Sequence, residues 1–337
     1  MKRRNAARLA SEVSHSSVEL DDLDQSIIAL MRREPAIASR DLARLLSVTE
    51  KTVRVHLRRL YELNVLRVIT MANLPAVGLP FIAAAGVQVR GRAPQEVARD
   101  IANVEQVLTV NVVLGNQDLE IQIVTRTLRE LSDLLTDVIA KIKGVGSIVL
   151  GVAIRVLKHE VLWVPFPSAL GRKLDRKVGP LAAAVGDELD ARIINCLAED
   201  SRISNRAVAR TLRVNEGTVR ARRRRLLSQN IVRTATVLNV EQLRNPIVAY
   251  FWISVDTAAN LRTVADTLVK LPEITFVALM SGRCDVLGIT LIESSDELVT
   301  LLHQTLDRIP GIYRTQHTLS QSTIKHDSRW CVLVDKS

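Results

Sequence analysis

The chain is poor in the residues from which most catalytic and metal centres are built. Its 337 residues include three cysteines, Cys196, Cys284 and Cys331, widely spaced and odd in number. That usage argues against a disulfide framework or a cysteine metal knuckle, and it suits a reducing compartment. The six histidines are scattered. No Ser/His/Asp set, zinc-ligand spacing or phosphate loop appears, and Gly144-Val145-Gly146 is too short for a nucleotide fingerprint. No cofactor, metal or catalytic residue is therefore expected. Long apolar runs are missing as well: stretches such as Phe81-Ile82-Ala83-Ala84-Ala85-Gly86-Val87 are far too short to span a bilayer. The opening Met1-Lys2-Arg3-Arg4-Asn5 lacks the apolar centre of a secretory signal. The expectation is a cytoplasmic location with no membrane partner.

What the chain does have is an internal repeat. Leu23-Asp24, Ile27-Ile28, Ala43-Arg44, Thr52-Val53-Arg54 and Arg58-Arg59-Leu60 return 166 positions later. There they are Leu189-Asp190, Ile193-Ile194, Ala209-Arg210, Thr218-Val219-Arg220 and Arg224-Arg225-Leu226. At an offset of 167 the similarity resumes, with Gly115 and Asp118 matching Gly282 and Asp285, and Lys158-His159 matching Lys325-His326. A unit of about 140 residues occurs twice, and at 47% apolar content each copy holds two small cores.

The formal charge of +10 is concentrated rather than spread. Residues 222 to 225 are four consecutive arginines in a helical pattern, and Lys51, Arg54, Arg58 and Arg59 occupy the matching region of the first copy. A merely solvated helix face carries interspersed acids, and between Arg220 and Arg225 there are none. A basic helix face of this kind is the electrostatic footprint of phosphate binding, so double-stranded nucleic acid is the expected partner.

The first half of each unit reads as three short helices. Leu23, Ile27, Leu30 and Met31 recur at helical spacing up to Pro35; a second helix starts at a Ser39 cap; Thr49 caps a third that runs to about Leu63. Two helices joined by a tight turn form the helix-turn-helix pattern. On the third helix, Val53, Leu57 and Leu60 share one stripe, which assigns Lys51, Thr52, Arg54, Val55, Arg58 and Arg59 to the groove-reading side, with His56 counted as a further DNA-binding candidate. In the second copy the same side carries Thr218, Arg220, Arg222, Arg224 and Arg225, with Asn215 as cap. Arg223 replaces Leu57 and is expected to snorkel along the core edge. Asn64 and Asn230 suit left-handed helix ends, and the following segments read as a strand or wing leading away.

The second half of each unit alternates strand and helix patterns in the order βαββαβ, the ferredoxin-like arrangement, with one sheet face left to find a partner. Its central strands meet at Gly115-Asn116-Gln117-Asp118 and Gly282-Arg283-Cys284-Asp285. These segments suit hairpin turns, and Asp118 and Asp285 are also the candidate carboxylates for an effector amine.

These residues together resemble the leucine-responsive and asparagine-regulator (Lrp/AsnC) family of transcription factors. The likeness rests on the opening Leu20-Asp21-Asp22-Leu23-Asp24, the basic pair plus leucine, the G..D turns, and the late turns Lys143-Gly144-Val145 and Pro310-Gly311-Ile312. It covers residues 20–160 and 187–327. It departs at His56, at Arg223, at the asparagines after the recognition helices, and at central turns that lack an aromatic residue. The resemblance implies an α+β fold with two copies of a winged helix-turn-helix followed by a ferredoxin-like βαββαβ effector domain. It implies a regulator whose operator binding a small, amino-acid-like molecule modulates, with Gly115, Asp118, Gly282 and Asp285 as effector-binding positions. Self-association through the effector domains becomes an intramolecular pseudo-dimer, with higher oligomers open. The corresponding boundaries are a basic tail 1–19, helix-turn-helix 20–72, effector domain 73–160, linker 161–186, helix-turn-helix 187–238, effector domain 239–327 and C-terminal tail 328–337. The competing readings are a tetrapyrrole enzyme like the sirohaem decarboxylases, which share this architecture, and an architectural DNA-binding protein without effector. Against the enzyme, the cationic density lies on the recognition helices, and His159 and His326 read as surface strand ends.

Overall fold

The computed structural model describes residues 19–332 apart from 36, 162, 165–186, 240–246 and 293. The basic tail at Lys2, Arg3, Arg4 and Arg8 and nearly all of the 161–186 linker lie outside the described residues.

The helical modules form where local chemistry dictates. Helix α1 (Asp22–Arg33) starts in a capping box, Asp21 with Asp24, and buries Asp24, Ile27, Ile28 and Met31. Helix α2 is Ser39–Leu45 and α3 is Glu50–Glu62. Thr49 caps α3 by accepting the Thr52 N–H at 3.1 Å. Asn64 leaves α3 in the left-handed region at φ 56, where Asn replaces Gly at modest cost. The second copy repeats this with α6 (Glu188–Glu199), α7 (Asn205–Leu212) and α8 (Glu216–Ser228). One expected cap is displaced: Ala38, not Ser39, holds the N-cap position of α2 and offers no side-chain acceptor. Its counterpart Ser204 does, accepting from Ala207 N–H at 3.1 Å.

The wing strands do not lead away. Strand β1 (Leu66–Asn73) pairs antiparallel with β7 (Val232–Asn239) of the other copy, from Leu66↔Leu238 to Ala72↔Val232. Two short strands, β6 (Trp163–Val164) and β12 (Trp330–Cys331), flank them in a sheet of order β12-β1-β7-β6. The pairing ties the copies together through their cores. Leu238 completes the core of the first module with Ile27 and Leu57, and Ala72 and Leu74 complete that of the second with Ile194 and Val219.

The effector domains comprise β2 (Phe81–Val89), α4 (Pro94–Ala102), β3 (Val107–Leu114), β4 (Leu119–Thr125), α5 (Leu128–Asp133) and β5 (Val145–His159). The second contains β8 (Ile247–Val255), α9 (Ala258–Lys270), β9 (Ile274–Gly282), β10 (Val286–Ile292), α10 (Ser295–Val299) and β11 (Ile312–His326). Both α5 and α10 widen into π-helical turns, Leu134–Ile139 and Thr300–Thr305. The two four-stranded sheets close one barrel in the order β10-β8-β11-β3-β4-β2-β5-β9. Its seams are β5 against β9 and β11 against β3, so each copy's long last strand completes the other copy's sheet. Closure leaves no free sheet edge in the barrel.

The barrel interior is not symmetric. Tyr250 and Trp252 on β8 correspond to Ala84 and Gly86 on β2, and both large rings are buried. Arg283 stacks on the Trp252 ring at 3.8 Å and contacts both oxygens of Glu120 on β4 at 2.8 and 3.0 Å. A Cβ on Gly86 would fall 2.6 Å from the Arg283 guanidinium, so the glycine makes room for this pair. The positions matching Arg283 and Glu120 are Asn116 and Leu287. Pairing unlike copies gives Glu120 its arginine and Trp252 its stacked guanidinium. Two second copies would crowd aromatic rings, and two first copies would leave a void and a buried acid without its arginine.

His159 and His326 correct the reading of surface strand ends. Both line a cavity of about 140 Å³ between the barrel and the four-stranded sheet. The reason is strand alternation: Lys158 and Lys325 turn outward to the Leu271 and Val104 carbonyls, each at 2.8 Å, so the next residue points inward. Burial pushes both imidazoles down to about 4, leaving them neutral at physiological pH.

Candidate nucleic-acid interface

Each third helix divides its basic residues into two sets. Lys51, Arg54 and Arg58 on α3 are exposed, as are Thr218, Arg220 and Arg224 on α8, while Thr52 is half-buried. Arg54 and Arg220 lean on Glu50 and Glu216 at 2.6 and 3.0 Å, exposed i,i+4 pairs that a phosphate displaces at little cost. An apolar residue stands among them on each helix, Val55 at 59% exposure and the smaller Ala221. Short side chains of this kind suit close approach to a groove floor and contact with thymine methyl groups.

The other four basic residues assigned to the groove are engaged elsewhere. Asp24 is fully buried and takes His56 Nδ1 at 2.8 Å and Arg59 Nη1 at 2.7 Å. Asp190, in the same place in the second copy, pairs with Arg222 at 3.0 Å and with Arg225. Arg222 also bonds Asp187 and holds that carboxyl below the usual range. A carboxylate sealed within an apolar stripe must be paired, and residues three apart on the facing helix supply the partners. His56, Arg59, Arg222 and Arg225 thus fix the recognition helix to the first helix of its module. The sign in the sequence was an aspartate, Asp24 or Asp190, inside the apolar periodicity. Asp21, Asp24 and His56 also form a group with metal-ligand donors, but Arg59 already neutralises it and the second copy has Arg222 for His56.

Arg223 sits at the core edge as expected, donating to the Ile203 carbonyl at 3.0 Å and to Asn205 and Ser201 at 3.3 Å each. The second helices also expose arginines, Arg40 and Arg44 on α2 and Arg206 and Arg210 on α7. Their signal was their recurrence at the 166 offset. In a helix-turn-helix this helix crosses the backbone, where arginines meet phosphates. Arg67 in the wing is held by Asn64 Oδ1 at 3.0 and 2.7 Å.

The effector turns have a structural use. Asp118 accepts the Val89 N–H at 2.7 Å, and Asp285 accepts the Val255 N–H at 2.9 Å, locking each turn to the neighbouring strand. Gly282 has φ +108 and a Cβ there would lie 2.5 Å from the Leu150 carbonyl across the β5–β9 seam; Gly115, at φ +149, abuts Thr318 across the other. The geometry at Gly115, Asp118, Gly282 and Asp285 is that of tight turns at the seams.

Comparisons with known proteins follow the same division. A winged helix-turn-helix DNA-binding model matches residues 20–67, and the Lrp/AsnC ligand-binding domain matches 82–163. The AsnC-type helix-turn-helix domain matches 187–227, and a C-terminal dimeric alpha+beta barrel domain matches 243–333. An HTH-type transcriptional regulator of Pyrococcus abyssi is 31% identical over 140 residues, 41% of this chain and 88% of the relative. The regulator FL11 of the same organism is 29% identical over 129 residues, 38% of this chain and 85% of the relative. Among solved structures, the siroheme decarboxylase NirDL, crystallised with an iron-uroporphyrin III analogue, superposes with a TM-score of 0.58 over 90% of this chain and 93% of its own. At 13% identity that likeness concerns the fold alone. Among the described residues no helix is long and apolar enough to cross a membrane. With a basic helix-turn-helix and an effector domain occurring twice, and relatives matching a single unit, the chain belongs to the Lrp/AsnC family of DNA-binding transcriptional regulators, as a tandem duplication.

Proposed function

We propose that this regulator reads an asymmetric operator through its two unlike recognition helices, and that a small molecule held by the effector half modulates the binding. The observation that carries the proposal is the difference between the outward faces. The first presents Lys51, Arg54, Val55 and Arg58; the second presents Gly217, Arg220, Ala221 and Arg224. Identical subunits read palindromes, whereas a covalent pseudo-dimer with two different faces is suited to two different half-sites. Because both barrel seams form within one chain, the pseudo-dimer requires no second chain.

Footprinting on the DNA upstream of the gene, with fluorescence anisotropy across a salt series, tests the reading. Two half-sites of unequal sequence, a steep salt slope and a clear preference over scrambled DNA are expected. Equal half-sites of equal sensitivity would refute the asymmetry, and unselective binding would favour an architectural protein.

The enzyme reading draws on the shared fold with NirDL and on the two inward histidines. Against it, the cavity they line is well below the several hundred Å³ usual for larger ligands, and among the described residues no lysine or arginine lines it to meet tetrapyrrole carboxylates. A tetrapyrrole titration that produced no spectral change would support the regulator.

A further inference from the structure

The cavity between the barrel and the four-stranded sheet has no part in DNA reading. Its walls are largely apolar and aromatic, with Tyr250, Phe276 and Met280 from the barrel and Met71, Trp163 and Trp330 from the sheet side. It lies on the pseudo-twofold between the copies, since His159 and His326, and Trp163 and Trp330, are equivalent residues that both line it. The equivalence breaks at one hydrogen bond. Trp330 Nε1–H donates to Asp327 at 3.0 Å. The matching donor, Trp163 Nε1–H, is buried with no acceptor among the described residues, and Glu160, the counterpart of Asp327, is exposed and near Lys158. A second donor belongs to another residue of the cavity lining. His159 Nδ1 accepts the Val332 N–H at 3.0 Å, which leaves the proton of the neutral ring on Nε2. Of the other polar groups in the lining, Asn111 donates to the Tyr250 hydroxyl at 2.6 Å and Thr323 donates to Asn111 at 2.7 Å.

We propose that this cavity binds a small, uncharged aromatic molecule carrying one hydrogen-bond-accepting oxygen, and that its occupancy is transmitted to the DNA-reading helices. The proposal rests on the regulator reading for its second half only. An apolar cavity of about this volume accommodates a benzene-sized body. The oxygen takes the place at Trp163 that Asp327 takes at Trp330. Among the described residues no lysine or arginine lines the wall, while Glu160 and Asp327 do, which disfavours an anion. Transmission follows the sheet: Trp163 pairs with Leu238, which completes the core of the first module, and Leu74, within the second module's core, lines the cavity together with Met71. The site is separate from the turns at Asp118 and Asp285.

The test uses acetophenone as probe, ethylbenzene as the same shape without the oxygen, and benzoate as the anion, titrated calorimetrically into the full chain. Acetophenone is expected to bind about tenfold more tightly than ethylbenzene, the worth of one hydrogen bond, and benzoate not at all. Trp163→Phe should remove the difference between the two neutral probes. Ala153→Leu, which fills the cavity and keeps the Trp163 donor, should abolish binding of both and serves as the second variant should Trp163→Phe fail to fold. Equal affinities in the unaltered protein, or a preference that survives Trp163→Phe, would overturn the site. Saturating acetophenone should change operator affinity at least about fivefold; binding with no such change would overturn the transmission. Selective DNA binding with no probe binding defeats this inference alone, and probe binding without selective DNA binding defeats the regulator reading alone.

Discussion

Replacing Arg283 by methionine tests the asymmetric barrel interior most directly. The substitution keeps the approximate length of the side chain and removes the guanidinium that covers Trp252 and contacts Glu120. Both partners are almost sealed, with side-chain exposures of 5% and 3%. Deleting one member of such a pair leaves a buried acid uncompensated, a loss of about 3–5 kcal/mol. The pH dependence identifies the cause. Burial pushes the Glu120 carboxyl up to about 7, and Arg283 pulls against that rise. A carboxyl whose folded value is raised keeps its proton in the folded chain while the unfolded chain has ionised. Stability therefore falls as pH rises from the unfolded value near 4.5 to about 7, and is flat above. Without Arg283 the carboxyl rises further, so the decline continues beyond pH 7 at about 1.4 kcal/mol per pH unit. The difference between the variant and the parent should thus grow by about 1.4 kcal/mol from pH 6 to pH 8. Urea denaturation at both pH values, followed by tryptophan fluorescence and circular dichroism, measures it. Pairing Arg283→Met with Glu120→Leu should recover most of the loss and flatten the pH response, since leucine already fills the pseudo-symmetric position at Leu287. A loss below about 1 kcal/mol, or one equal at pH 6 and pH 8, would refute the reasoning.

Neighbouring arginines on α3 should behave differently. Arg58→Ala is expected to lower affinity for the preferred operator more than for random DNA while changing stability by less than about 0.5 kcal/mol, and Arg59→Ala to cost about 1–2 kcal/mol of stability by uncovering Asp24; anisotropy and urea melts on both variants separate the effects. The cavity histidines give the opposite pH slope to Glu120: with folded values near 4 against an ordinary 6.5, the unfolded chain binds the extra protons. Their contribution is present above pH 6.5 and is lost as pH falls toward 4, by about 1.4 kcal/mol per unit for each ring, so His326→Gln should flatten the acid limb of a stability profile. Gly282→Ala should cost about 3 kcal/mol through the positive φ and the Leu150 carbonyl, measured by thermal melting. Gly91→Ala, at φ +68 with open space around it, is the control and should cost only the backbone penalty, about 1 kcal/mol.

Local structure and family membership are legible in the amino-acid order alone. Helical spacing, the Thr49 and Asn215 caps and the left-handed asparagines after α3 and α8 are short-range chemistry, and the repeat doubled every signal. The outward set of Lys51, Arg54, Arg58, Arg220 and Arg224 was legible for the same reason, because helix geometry alone divides exposed from buried faces. The partners of side chains distant in sequence were decided only by the tertiary structure. Arg59 and Arg225 lie near the edge of the outward face, and only the packing of α1 and α6 supplies the buried aspartates that claim them. Arg283 looked like a turn residue until barrel closure brought it to Glu120, 163 positions away. The inward placement of His159 and His326 is not legible in the sequence, because the cavity they line exists only once two sheets from different copies meet. Periodicity specifies which face of an element is apolar, but not what that face will meet; closure of the barrel and pairing of the wings supply the rest.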